Sequence, residues 1–63
     1  MTDIALVAEN TERGWKLRTY DRDNVVCPEG FTVFFKSKAK AVAAKPLVKY
    51  DARNEWFIYD GAV

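Results

Sequence analysis

The chain has 63 residues, ten Lys and Arg against nine Asp and Glu, one Cys and no His. Its length allows one domain, residues 1–63, and its near balance of charge argues against a simple polycationic coat for nucleic acid. Without His, and with a lone Cys, the commonest general base, the usual zinc ligand sets and an internal disulfide are all excluded. Two Trp, three Tyr and four Phe supply the large buried areas a small core needs, so the chain is expected to fold rather than stay disordered.

Residues 3–10, DIALVAEN, form a short apolar run, and the polar stretch ending at Gly14 reads as a turn. GWKLRTYD then alternates: Trp15, Leu17 and Thr19 on one face, Lys16, Arg18 and Tyr20 on the other. That period of two predicts a half-buried strand, hairpinned to the run before it. DRDNVVCPEG reads as a longer connection with a turn near residues 28–30, where Pro28 lacks an amide proton and Gly30 tolerates positive φ. FTVFFK, residues 31–36, resumes the strand pattern, with Phe31, Val33 and Phe35 facing one way and Thr32, Phe34 and Lys36 the other.

Ser37 offers an oxygen as a helix N-cap. Ala39, Val42 and Ala43 recur at helical spacing and are the expected buried stripe. Pro46 disfavours helical geometry at Lys45, so the helix is limited to two or three turns and depends on packing for its stability. LVKY and EWFIY around the polar loop DARN predict a second hairpin. The expected fold is α+β: a small, mostly antiparallel sheet in the order β-β-β-α-β-β, with one short helix packed on one face.

No apolar run approaches the roughly 20 residues that span a bilayer. The opening MTDIALVAEN has no basic leader, so a cytoplasmic protein without a membrane role is expected. No phosphate loop, nucleotide fingerprint or nucleophile elbow is present, and no cofactor is expected. Cys27 sits between Val26 and Pro28 with no neighbouring cation and reads as an apolar filler. The carboxylate pairs Asp21 with Asp23, and Asp51 with Glu55, lie in turns, where Asp commonly bonds local backbone.

Two surfaces remain. Lys36, Lys38 and Lys40 crowd the helix start, where acids would better match the macrodipole. They suit a phosphate or a partner's carboxylate, or are simply a solvated face. Lys16, Arg18 and Tyr20 project together from their strand, and Phe34 with Lys36 would extend that patch if the two segments pair. Basic and aromatic groups of this kind suit nucleic acid and protein hot spots alike. One short alanine-rich helix is too small to cover both faces of a five-stranded sheet, so aromatic surface is expected to stay exposed.

GWKLRTYD followed by FFKSKAKAVAA resembles the arm-type DNA-binding domain of phage tyrosine integrases, through Trp15, Lys16, Arg18, Phe35, Lys38 and Ala41. The resemblance covers residues 13–44, and residues 47–60 have no counterpart in that family. It implies a sheet entering the DNA major groove, with Lys16, Arg18 and Tyr20 at the DNA. The chain also resembles small phage accessory proteins that bind and inhibit host machinery. The expectation is therefore a non-enzymatic binding protein of the phage accessory kind. It would modulate or inhibit a host protein through Lys16, Arg18, Tyr20, Phe34, Lys36, Lys38 and Lys40. The alternative is a nucleic-acid-binding module using the same basic strand face and lysine-rich helix start. A homodimer, through exposed aromatics or an edge strand, is a third reading.

Overall fold

The computed structural model describes residues 5–21 and 24–61. Residues 3 and 4 of the expected first strand, and Asp23 of the carboxylate pair, lie outside that range. The fold is α+β, with elements in the expected order: β1 (Val7–Thr11), β2 (Gly14–Arg18), β3 (Val25–Val26), α1 (Lys38–Ala44), a 3₁₀ turn (Lys45–Leu47), β4 (Val48–Asp51) and β5 (Trp56–Tyr59). The strands divide between two sheets, β1-β2 and β3-β5-β4. All pairings are antiparallel except β3 with β5. A parallel pairing needs a long crossover, and here α1 and β4 supply it.

The first hairpin closes on a two-residue turn, Glu12-Arg13, with Thr11 opposite Gly14. The Thr11 hydroxyl donates to the Gly14 carbonyl at 2.7 Å and accepts from the Arg13 amide at 3.2 Å. Gly14 has φ +125, a backbone region that residues with a Cβ rarely occupy. In the turn before residue 31, Gly30 has φ +89, and its amide donates to the Cys27 carbonyl at 2.8 Å. The second hairpin is held by the Asp51 carboxylate. It accepts from the Arg53 amide at 3.0 Å, the Asn54 side-chain amide at 2.7 Å and the Trp56 indole at 3.3 Å.

Three expectations are corrected. The third strand is not FTVFFK but Val25–Val26, inside the segment read as a connection. Residues 31–36 make isolated antiparallel bridges instead, Thr32 to Val26 and Phe35 to Trp15. Within that stretch Val33 and Phe35 are buried as expected, but Phe31 is 72% exposed. The buried stripe of α1 is Ala41 and Ala44, at 0% and 3% exposure, while Ala39, Val42 and Ala43 face solvent. Lys45 keeps helical angles (φ −51, ψ −45) ahead of Pro46, and the chain tightens into the 3₁₀ turn there rather than leaving helical space. Ser37 does cap α1: its backbone is extended, and its Oγ accepts from the Lys40 amide at 3.3 Å.

The core gathers Leu6, Leu17, Val25, Val33, Phe35, Ala41, Ala44 and Tyr59 from both sheets and the helix. Phe35 and Tyr59 meet edge to face, with ring centroids 5.2 Å apart. α1 lies against β1 and β2 on their Leu17 side. Methyl-sized contacts at Ala41 and Ala44 let so short a helix approach closely. Cys27 packs, half-buried, against this core, as a filler would. The helix does not have to roof one broad sheet, because the two small sheets shield one another. Of the aromatic rings, Tyr20, Phe31 and Tyr50 are nevertheless exposed.

Candidate functional site

The register of the first hairpin builds the site. Residues directly opposite in an antiparallel pair share a face, and successive residues alternate. Val7 opposite Arg18, Glu9 opposite Lys16 and Thr11 opposite Gly14 therefore define one face of β1-β2. Ala8 opposite Leu17 and Asn10 opposite Trp15 define the other, where fully buried Leu17 joins the core. The first set is the outer face.

Phe34 joins that face through the Trp15–Phe35 bridge. The Trp15 amide donates to the Phe35 carbonyl at 2.8 Å, and the Phe35 amide returns a bond to the Trp15 carbonyl at 2.6 Å. Continued by one residue in either direction, this pairing sets Phe34 opposite Lys16 and Lys36 opposite Gly14. Phe34 thereby stands beside Lys16. Two shallow depressions of about 350 Å³ flank Lys16, one lined by Glu9, Lys16, Arg18 and Tyr20, the other by Thr11, Glu12, Arg13, Lys16 and Phe34.

The electrostatics of the face differ from a basic strip. Arg18 Nε donates to the Glu9 carboxylate in a diagonal cross-strand ion pair, and its Nη1 donates to the Thr19 carbonyl at 3.2 Å. Lys16 Nζ donates to Asn24 Oδ1 at 3.1 Å. Tyr20 stands 84% exposed at the end of the strand.

Lys16, Arg18, Tyr20 and Phe34 are brought together, with Lys36 at the margin. Lys38 and Lys40 are not part of this group: they ride on α1, which packs on the opposite side of the hairpin. The helix start carries no acid in its first turn, yet α1 is seven residues long and Ser37 already takes up one of its first-turn amides. Glu9, Glu12 and Arg13 belong to the face and were missed. The two-residue turn between Thr11 and Gly14 carried the signal, since it alone sets Glu9 opposite Lys16.

Among the described residues, no three Cys, Asp or Glu side chains gather to hold a metal ion, and no helix is long and apolar enough to cross a membrane. Glu29, exposed in the turn beside Cys27, has its carboxyl pKa lowered by a hydrogen bond from the Cys27 thiol and by its own amide. No protein-family model, curated protein sequence or solved structure matches this chain.

Proposed function

We propose that the chain is a small, non-enzymatic, cytoplasmic binding protein that docks the outer face of β1-β2 onto a protein partner. It would modulate that partner in the manner of small phage accessory proteins. The observation that carries this reading is the mixed sign of the face. Arg18 is engaged by Glu9, and Glu12 sits beside Arg13, so a polyanion approaching Lys16 would meet two carboxylates. A protein surface can match such a pattern charge by charge, with exposed Tyr20 and half-buried Phe34 as apolar anchors. Nucleic acid is the poorer fit, because its affinity grows with uncompensated Lys and Arg against phosphate.

The test compares immobilised wild-type protein with Tyr20→Ala and Lys16→Glu variants in capture from a bacterial lysate, alongside titration of duplex DNA at low salt. Both substitutions lie on an exposed face and should leave the circular dichroism unchanged. The expected result is a stoichiometric protein held by the wild type and lost by both variants, with no DNA bound. Capture that ignores both substitutions, or DNA binding that weakens steeply with salt, would refute the reading.

A further inference from the structure

The second sheet presents a different surface, the outer edge of β4. Within the sheet order β3-β5-β4, β4 has a partner on one side among the described residues. Its hydrogen-bond phase follows from one bond at its end. The Asp60 amide donates to the Leu47 carbonyl at 3.1 Å. That makes 47 and 60 a hydrogen-bonded pair, in phase with the register of Lys49 opposite Ile58 and Asp51 opposite Trp56. Bonded pairs alternate in an antiparallel ladder, so Lys49 and Asp51 spend their backbone groups on β5. Val48 and Tyr50 turn theirs outward. The Val48 amide is taken by the Lys45 carbonyl within the 3₁₀ turn. The Tyr50 amide, the Tyr50 carbonyl and the Val48 carbonyl are left facing the open edge.

We propose that this edge pairs with the same edge of a second copy, antiparallel, about a two-fold axis at Tyr50. Charge selects the register. With Tyr50 opposite Tyr50 of the other copy, each Lys49 lies opposite an Asp51. Both neighbouring symmetric registers set like charges against each other at the axis: Lys49 against Lys49, or Asp51 against Asp51. Directly opposed unlike charges stabilise a sheet and like charges destabilise it. The Tyr50 register also sets two outward Tyr50 amides against two outward Tyr50 carbonyls, a hydrogen-bonded pair at the axis.

The side chains agree with that placement. Tyr50 is 52% exposed and lies against Phe57, with ring centroids 5.0 Å apart. Both belong to the face of the sheet that carries buried Val25 and Tyr59. Pairing would cover the Tyr50 ring and join two such faces into a six-stranded sheet. On the opposite face, Lys49 contacts Asp60 at 3.4 Å in an exposed ion pair that yields readily to a second carboxylate. The surface is separate from β1-β2, so its failure would leave the proposed docking face untouched.

The test is sedimentation equilibrium of the full chain up to millimolar concentration, for three proteins. These are the wild type, a synthetic chain N-methylated at the Tyr50 amide, and Lys49→Asp. The wild type is expected to show a concentration-dependent monomer–dimer equilibrium. The N-methylated chain should keep the same circular dichroism and remain monomeric. Lys49→Asp sets carboxylates opposite one another at two symmetric positions and should weaken the dimer by about tenfold. A wild type that stays monomeric throughout overturns the proposal, including the case where the edge takes an extended peptide of another protein. A dimer indifferent to N-methylation overturns it as well. Loss of fold on N-methylation would mean that the Tyr50 amide is spent on β5, which removes the premise.

Discussion

Replacing Gly14 by alanine tests the joint on which the outer face depends. Gly14 opens β2 with φ +125, and a Cβ built there would lie 2.8 Å from the Phe35 carbonyl oxygen and 3.7 Å from the Phe34 Cβ. The first neighbour is backbone, so no side-chain rotation relieves the contact. The same oxygen accepts from the Trp15 amide, and the Phe35 amide bonds back to Trp15. Alanine at this φ costs about 1–3 kcal/mol in backbone strain. Moving residues 34–35 away to admit the methyl weakens two hydrogen bonds worth about 1 kcal/mol each. The expected loss is about 2–4 kcal/mol. Stability of about 0.05–0.15 kcal/mol per residue implies roughly 3–9 kcal/mol for a chain of this length, so the loss is a large part of the whole.

Urea unfolding followed by far-UV circular dichroism measures it directly. The midpoint should fall sharply with little change in slope. In a thermal scan, each kcal/mol should lower Tm by about 4–8 °C. A Gly14→Ala protein within about 0.5 kcal/mol of wild type would refute the reasoning, since that is the scale of an ordinary surface substitution. It would mean that residues 34–36 are not held against β2, and that Phe34 is not fixed beside Lys16.

Two further substitutions probe the rest of the fold. Ala41→Leu forces a larger side chain into a position with no exposed surface, where α1 meets the core; it should cost about 1–3 kcal/mol in urea, whereas Ala43→Leu on the solvent side should cost almost nothing. Asp51 has its carboxyl pKa lowered chiefly by the Asn54 side-chain amide, with the Arg53 amide and the Trp56 indole assisting. A carboxyl with a lower pKa in the folded than in the unfolded chain stabilises fully above the unfolded value. It loses that contribution as pH falls through the folded one. Wild-type Tm should therefore drop on acidification through and below the usual carboxylate range, and Asp51→Asn should show a shallower drop. Equal slopes for the two proteins would rule out Asp51 as a source of the pH dependence.

Both hairpins and the helix start were legible in the sequence because their signals are local. Alternation in GWKLR, the DARN loop between apolar runs, and Ser37 ahead of an alanine-rich stretch each act within a few residues. The third strand was not, for the opposite reason. Val25–Val26 is too short to display a period, and its partner β5 lies some thirty residues further along the chain. FTVFFK shows the better pattern, but it pairs in two separate isolated bridges, around Thr32 and at Phe35, rather than along one continuous ladder. The helix stripe is hard to read from sequence because four alanines carry almost no directional signal, and Val42 is the one larger apolar residue among them. Packing decided differently: the space beneath α1 admits methyl groups at Ala41 and Ala44, and the larger Val42 turns outward.

The same contrast governs the candidate site. Lys16, Arg18 and Tyr20 could be grouped from alternation, and Phe34 added by supposing a pairing that the Trp15–Phe35 bridge supplies. Glu9 could not be placed without the turn. Taken with Arg13 and Glu12, it changes the face from a purely cationic strip into Lys16, Arg18 and Arg13, with Lys36 at the margin, set among two carboxylates, Arg18 being already engaged. Long-range attraction depends on the sum of such charges and is screened within about 10 Å at moderate salt. Short-range fit depends on their positions. A face of mixed sign therefore discriminates by position, and on that property the proposed preference for a protein partner over a nucleic acid rests.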